Sequence, residues 1–185
     1  AACPWRRLEL VDGQWVTRPP SCASRRPDQD DLQAWLVGWY HPPCSLLWSR
    51  TAYGLGGGWD GRFGVNDDGL LVMRALVAGV ELRRGVGDRA YYRRGLPGRM
   101  TLSGHSRTAA GLDSRWRVLT EIVSLLEQSG RLEFYGQELA VAFDALGRDC
   151  GGSAEELRER CERAARHHGG GRLASRMRRW SRGAR

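Results

Sequence analysis

The sequence predicts an α/β half with a few short strands, followed by an all-helical C-terminal region. Three observations predict it. β-rich runs bounded by turn residues occur only before about residue 105. From about residue 107 onward, apolar residues recur at helical spacing. The 185-residue chain is 41% hydrophobic with eight Trp, enough to bury a core. The expected division is therefore 1–105, a mixed α/β part, and 106–185, a helical appendage with a basic tail.

The elements follow from local chemistry. Arg6–Val11 and Gln14–Thr17 are β-like runs separated by Asp12-Gly13, a hairpin signal. Pro19–Asp30 is rich in turn formers and reads as an exposed loop. Asp30 or Asp31 caps a helix running to Trp39, with Leu32, Trp35, Leu36 and Trp39 on one face. Pro42-Pro43 stops it, and Cys44–Arg50 reads as a buried strand. Arg50–Leu55 makes one helical turn, ended by Gly56-Gly57-Gly58. Asn66–Gly79 is a helix with Leu70, Met73 and Val77 in register, closed by Gly79. Val80–Arg83 and Arg89–Arg94 read as strands, and Leu96–His105 as a loop.

The remainder reads as helices. Trp116, Leu119, Val123 and Leu126 form one stripe. Leu132, Tyr135, Leu139, Phe143 and Leu146 form the next, after Ser129-Gly130. A third helix, Ser153 to about His167, opens on the capping-box pattern Ser153-Ala154-Glu155-Glu156. The last segment places Leu173, Met177 and Trp180 on one face, opposed by Arg.

Charge separates the same two regions. All 29 basic residues are Arg, and the net charge is +8. Ten Arg and four Glu after residue 150 supply most of it, so the body is near neutral and the tail basic. Five cysteines (Cys3, Cys22, Cys44, Cys150 and Cys161) without ligand spacing read as reduced thiols of a cytoplasmic protein. No apolar run approaches membrane-spanning length. The N-terminus lacks the apolar core of a signal peptide and has no Met, so the chain is expected to be cut from something longer.

The chemistry concentrates between Cys44 and Ser103. Gly57-Gly58-Trp59-Asp60 is a glycine-rich turn. Asn66-Asp67-Asp68-Gly69-Leu70 then puts two adjacent carboxylates at a helix start. Asn66 and Asp67 can simply cap that helix. A carboxylate there can also serve as a base: the unpaired N–H groups favour its charged form, and the neighbouring carboxylate raises its basicity.

With their flanks, these pieces resemble family 2 glycosyltransferases, nucleotide-sugar enzymes of the GT-A fold. Four match in order: Pro42–Arg50, Tyr53–Asp60 (YGLGGGWD), Asn66–Arg74 (NDDGLLVMR) and Ala90–Arg94 (AYYRR). The resemblance implies that the first part is the acceptor-side half of a GT-A domain. It implies Asp68 as the general base and Asp67 as the acidic residue before it. Gly57, Gly58, Trp59 and Asp60 would form the acceptor turn, with Trp59 stacking on a sugar. Arg74 either makes only a salt bridge from its helix or touches substrate or a phosphate, and Arg93 and Arg94 either meet a diphosphate or merely flank a strand end. It further implies an inverting transfer from a nucleotide-sugar donor to a glycan or lipid-linked acceptor, with Mn²⁺ or Mg²⁺ as cofactor.

The sequence departs from that family in three places. Leu70 stands where the family has a further Asp. Gly95 stands where it often has a His, and His105 is too far on to replace it. No Asp-x-Asp metal motif occurs in the chain, so the donor-binding half is expected before Ala1, and the 185 residues alone are expected to be inactive. Two rival readings are a non-catalytic binding module and a membrane-surface module, peripheral at the inner face, using residues 172–182. Nucleic-acid binding by the Arg-rich tail is disfavoured, because the body is nearly neutral.

Overall fold

The computed structural model describes residues 1–87, 89–94, 102–151 and 154–169. The described chain combines a small mixed sheet with six α-helices. The strands are β1 (Trp5–Val11), β2 (Gln14–Arg18) and β3 (Ala90–Arg94), in the order β2-β1-β3. β1 and β2 form the expected hairpin, with Leu10 opposite Trp15 and Arg7 opposite Arg18. Its turn holds Asp12 at φ 49° and Gly13 at φ 77°, the pair of left-handed conformations that matches strand twist. β3 returns parallel to β1, with Trp5 opposite Ala90 and Glu9 opposite Arg94.

Three helices lie between β2 and β3. α1 (Asp31–Leu36) starts from a full capping box: Asp30 accepts from the Gln33 N–H, and the Gln33 side chain accepts from the Asp30 N–H. It is shorter than expected. Gly38 turns the chain away at φ 94°, although Trp39 still packs on the core. α2 (Arg50–Leu55) is the expected single turn, capped by Ser49. α3 (Asp67–Val77) buries Leu70, Leu71, Val72 and Met73.

Two expected strands are absent. Pro43–Ser45 forms a 3₁₀ turn instead, and beyond it only Leu46 makes a β-bridge, to Ala2. Pro42 and Pro43 carry no N–H for a ladder, while their fixed φ suits the start of a helical turn. Val80–Arg83 is likewise not a strand. The nearest bridge joins Arg84, just past it, to Ala2, so the stretch itself has no rung. Leu102–Arg107, placed at the end of a loop from sequence, is a 3₁₀ helix. The rest of that loop lies outside the described residues.

α4 (Ala109–Gln128), α5 (Gly136–Asp149) and α6 (Glu155–Gly169) complete the chain. Along α4 the fully buried row is Val118, Ile122 and Leu126, preceded by Ser114. Trp116, Leu119 and Val123, read as the main stripe, are half-buried beside it. The helix is flanked on two sides, so its apolar surface is wider than one row. Along α5 the expected Leu139, Phe143 and Leu146 are buried, with Tyr135 just ahead of the helix. Ser153 and residues 170–185, including the basic amphipathic segment, lie outside the described residues.

One core crosses position 105. It joins Leu32, Trp35 and Leu36 of α1 and Leu70, Val72 and Met73 of α3 to Val118, Ile122 and Leu126 of α4 and Leu139 of α5. Burying each of these large side chains contributes about 1.5–3 kcal/mol, so the helices after 105 are energetically part of the α/β layer they cover. Tyr135 reinforces the join by donating to the Asp30 carboxylate at 2.8 Å, across 105 residues of sequence. No helix among the described residues is long and apolar enough to cross a membrane.

Candidate active site

The site is built around the start of α3. Asn66, at the N-cap position, sits in the left-handed region at φ 65°, and its side chain makes no capping hydrogen bond. Gly69 lies against it: a Cβ there would fall 2.2 Å from Asn66 Oδ1, so any larger residue would turn the Asn66 side chain away. The approach to the helix is fixed from α4. The Ser114 hydroxyl, 2% exposed, donates to Val65 O at 2.9 Å and accepts from Val65 N–H at 3.1 Å. α4 packs against α3 on this side. Asp67 and Asp68 are therefore held by a clamp that sequence reading missed. The signal was available: Ser114 is a small polar residue in the buried row with Val118 and Ile122.

Both carboxylates are half-buried, and neither has an ion pair among the described residues. Burial pushes the Asp68 carboxyl above the ordinary carboxylate range. The charge of Asp67 adds to the rise, while the backbone N–H groups of Gly69 and Asp68 oppose it. Desolvation thus outweighs the helix-terminus effect that the sequence brings to mind first. The outcome is a carboxylate of raised basicity, facing open space.

That space is a cavity of about 680 Å³ lined by Asp67, Asp68, Trp59, Tyr92 and Arg94, among others. Its other walls come from His41, Pro42 and Pro43 after α1, and from Val141 and Ala145 of α5. Trp59 is 53% exposed at the cavity, leaving most of its ring free. Its backbone N–H donates to the Tyr53 hydroxyl at 3.0 Å. Gly58 lies against the same tyrosine at φ 69°, where a Cβ would approach the ring to 3.2 Å. Tyr53 therefore sets the turn that presents Trp59. Arg94 also donates to Ser21 Oγ at 3.3 Å. His41, half-buried, is held below its ordinary pKa by burial and by the Arg84 charge.

Other residues expected at the site do not line this cavity. Arg74 spans Asp60 Oδ2 at 3.1 Å and Glu121 Oε1 at 2.7 Å, tying the turn and α3 to α4. Asp60 also binds Arg62 through both carboxylate oxygens, which holds its pKa well below the usual range. Gly57 backs onto Arg74, with a Cβ position 3.7 Å from its Nη1. Arg93 belongs to the opposite face of the sheet from Tyr92 and Arg94. The structure thus brings Trp59, Asp67, Asp68 and Arg94 together. It makes Asp60 and Arg74 a strut behind the turn.

The resemblance implies Mn²⁺ or Mg²⁺. No three His, Cys, Asp or Glu side chains gather among the described residues. Compared with family models, curated proteins and solved structures, the chain matches none.

Proposed function

We propose that this chain is the acceptor-side part of an inverting glycosyltransferase similar to family 2, with Asp68 as general base. The observation that carries the reading is the Asp67–Asp68 pair. These unpaired carboxylates at the start of α3 open into the same cavity as Trp59, Tyr92 and Arg94.

In this reading the acceptor sugar lies in the cavity with one face on Trp59. Its hydroxyl gives a proton to Asp68 as the oxygen attacks the anomeric carbon of the donor. The bond from that carbon to the diphosphate oxygen breaks, and the nucleoside diphosphate leaves with the electron pair. The raised basicity of Asp68 suits the proton transfer, and Asp67 adds to it. Arg94, which lines the cavity, would face an anionic group of the substrate there. The donor grip and any divalent metal are supplied outside these 185 residues.

The test is release of nucleoside diphosphate from a panel of nucleotide sugars, with saccharide acceptors and Mn²⁺ or Mg²⁺. The native gene product is expected to give acceptor-dependent release with inverted anomeric configuration, and the 185 residues alone none. Absence of transfer by the native product across the panel would overturn the reading, and robust transfer by the isolated chain would overturn the need for an outside donor half.

A further inference from the structure

We propose that the outward face of the three-stranded sheet is a membrane-contact surface that seats on anionic lipid. Strand register defines this face. Arg6, Leu8 and Leu10 of β1 share it with Trp15 and Thr17 of β2 and with Tyr91 and Arg93 of β3. On this face β1 is half-buried and the two flanking strands are exposed. Trp15, Thr17, Tyr91 and Arg93 are exposed, while Val16 and Tyr92 between them are half-buried. The opposite face carries Trp5 and Tyr92, packed edge-on, and the Arg7–Glu9 and Arg18–Glu9 ion pairs.

The composition of the outward face selects its partner. Trp15 is 42% exposed and Tyr91 51%, large amphipathic rings of the kind that settle at a lipid–water boundary. Leu8 and Leu10 lie between them. No acidic residue of the strands is on this face, since Glu9 is on the other. Arg6 and Arg93 stand on it without an ion pair among the described residues, in a chain where most other strand Arg residues are engaged. Two free cations bordering an apolar, aromatic surface complement anionic headgroups over a shallow apolar layer.

A stacked single-stranded nucleic acid fits less well. Trp15 and Tyr91 occupy opposite corners, four residues along β1 and two strand spacings across, roughly 16 Å apart. The positions between them are aliphatic, so successive bases would find no continuous run of rings. The proposal does not depend on the glycosyl-transfer reading, and it uses a surface separate from residues 172–182.

The test is co-sedimentation of the full chain with phosphatidylcholine vesicles, with and without phosphatidylglycerol. Two double variants are compared, Trp15→Ser/Tyr91→Ser and Arg6→Gln/Arg93→Gln, each checked for native circular dichroism. The chain is expected to bind the anionic vesicles and to leave the neutral ones largely unbound. Each variant is expected to lose about tenfold in partition coefficient. The Arg variant keeps the proposal falsifiable if loss of the two rings unsettles the hairpin. Absence of binding by the unaltered chain would overturn the proposal. So would unchanged binding by both variants, which would assign the contact to another segment. Tight binding of a single-stranded oligonucleotide through Trp15, without vesicle binding, would overturn it in favour of nucleic acid.

Discussion

Replacing Ser114 by Ala removes the hydroxyl that closes a two-way hydrogen bond onto Val65, 49 residues away. The change leaves a Val65 N–H and a Val65 carbonyl without their partner in a half-buried position. Each hydrogen bond contributes about 1 kcal/mol net, and an abandoned buried group costs about 1–3 kcal/mol. Val65 borders the cavity, where water can approach, so the lower end applies. The expected total is about 2–3 kcal/mol. For a chain of this size that is a fall in Tm of roughly 5–10 °C. Denaturant titration should show a lower midpoint with an unchanged slope, since the surface exposed on unfolding is the same. Amide exchange should quicken around residues 65–69, where the clamp holds the approach to α3. A loss below about 0.5 kcal/mol, with unchanged protection there, would refute the claim that α4 positions the aspartate pair.

Further predictions concern the surroundings of the site. Gly111→Ala puts a Cβ 1.9 Å from the His105 carbonyl oxygen, so it should destabilise by about 2–4 kcal/mol, read as a fall in denaturation midpoint. Arg74→Met should cost about 1.5–3 kcal/mol by freeing Glu121, yet leave saccharide affinity in the cavity unchanged by calorimetry, because the strut lies behind the turn. His41 is held below its ordinary pKa, so the unfolded chain binds its proton first. Stability should fall as pH drops below about 6.5, and a His41→Gln variant should lessen that slope in thermal melts at stepped pH, with His168, also held low by burial, supplying the remainder. Asp68 has the opposite sign: its raised folded pKa means stability is lost as pH rises past the ordinary carboxylate range. Asp68→Asn should therefore raise Tm at neutral pH, and a lowered Tm would point to a capping role.

Much of the fold is legible where local chemistry decides. Asp12-Gly13 dictates the hairpin turn, Asp30 with Gln33 dictates the start of α1, and the periodicity of α5 gives its buried face. The failures fall where a partner decides. Cys44–Arg50 and Val80–Arg83 carry β-prone residues, but a strand needs a ladder: the first finds one rung, Leu46 on Ala2, and the second none, the bridge to Ala2 there being made by Arg84. The stripe on α4 was misplaced because two neighbouring surfaces bury more of the helix than one amphipathic row. At the site, Asp67, Asp68 and Trp59 were readable from the glycine turn and the helix start. A salt bridge for Arg74 was also readable, but not its partners Asp60 and Glu121, nor the role of Asp60, since none of these pairings carries a local signature. Ser114 was hidden for the same reason: its partner is a backbone group far away in sequence.

Proton removal by Asp68 is tested by transfer with the native gene product carrying Asp68→Asn, set beside the unaltered protein. The asparagine keeps the shape and the backbone contacts and removes only the basic carboxylate. With Asp68 as the base, turnover falls by about 100-fold or more while circular dichroism is unchanged. Turnover equal to that of the unaltered protein would contradict it and return the aspartate pair to a structural role at the start of α3.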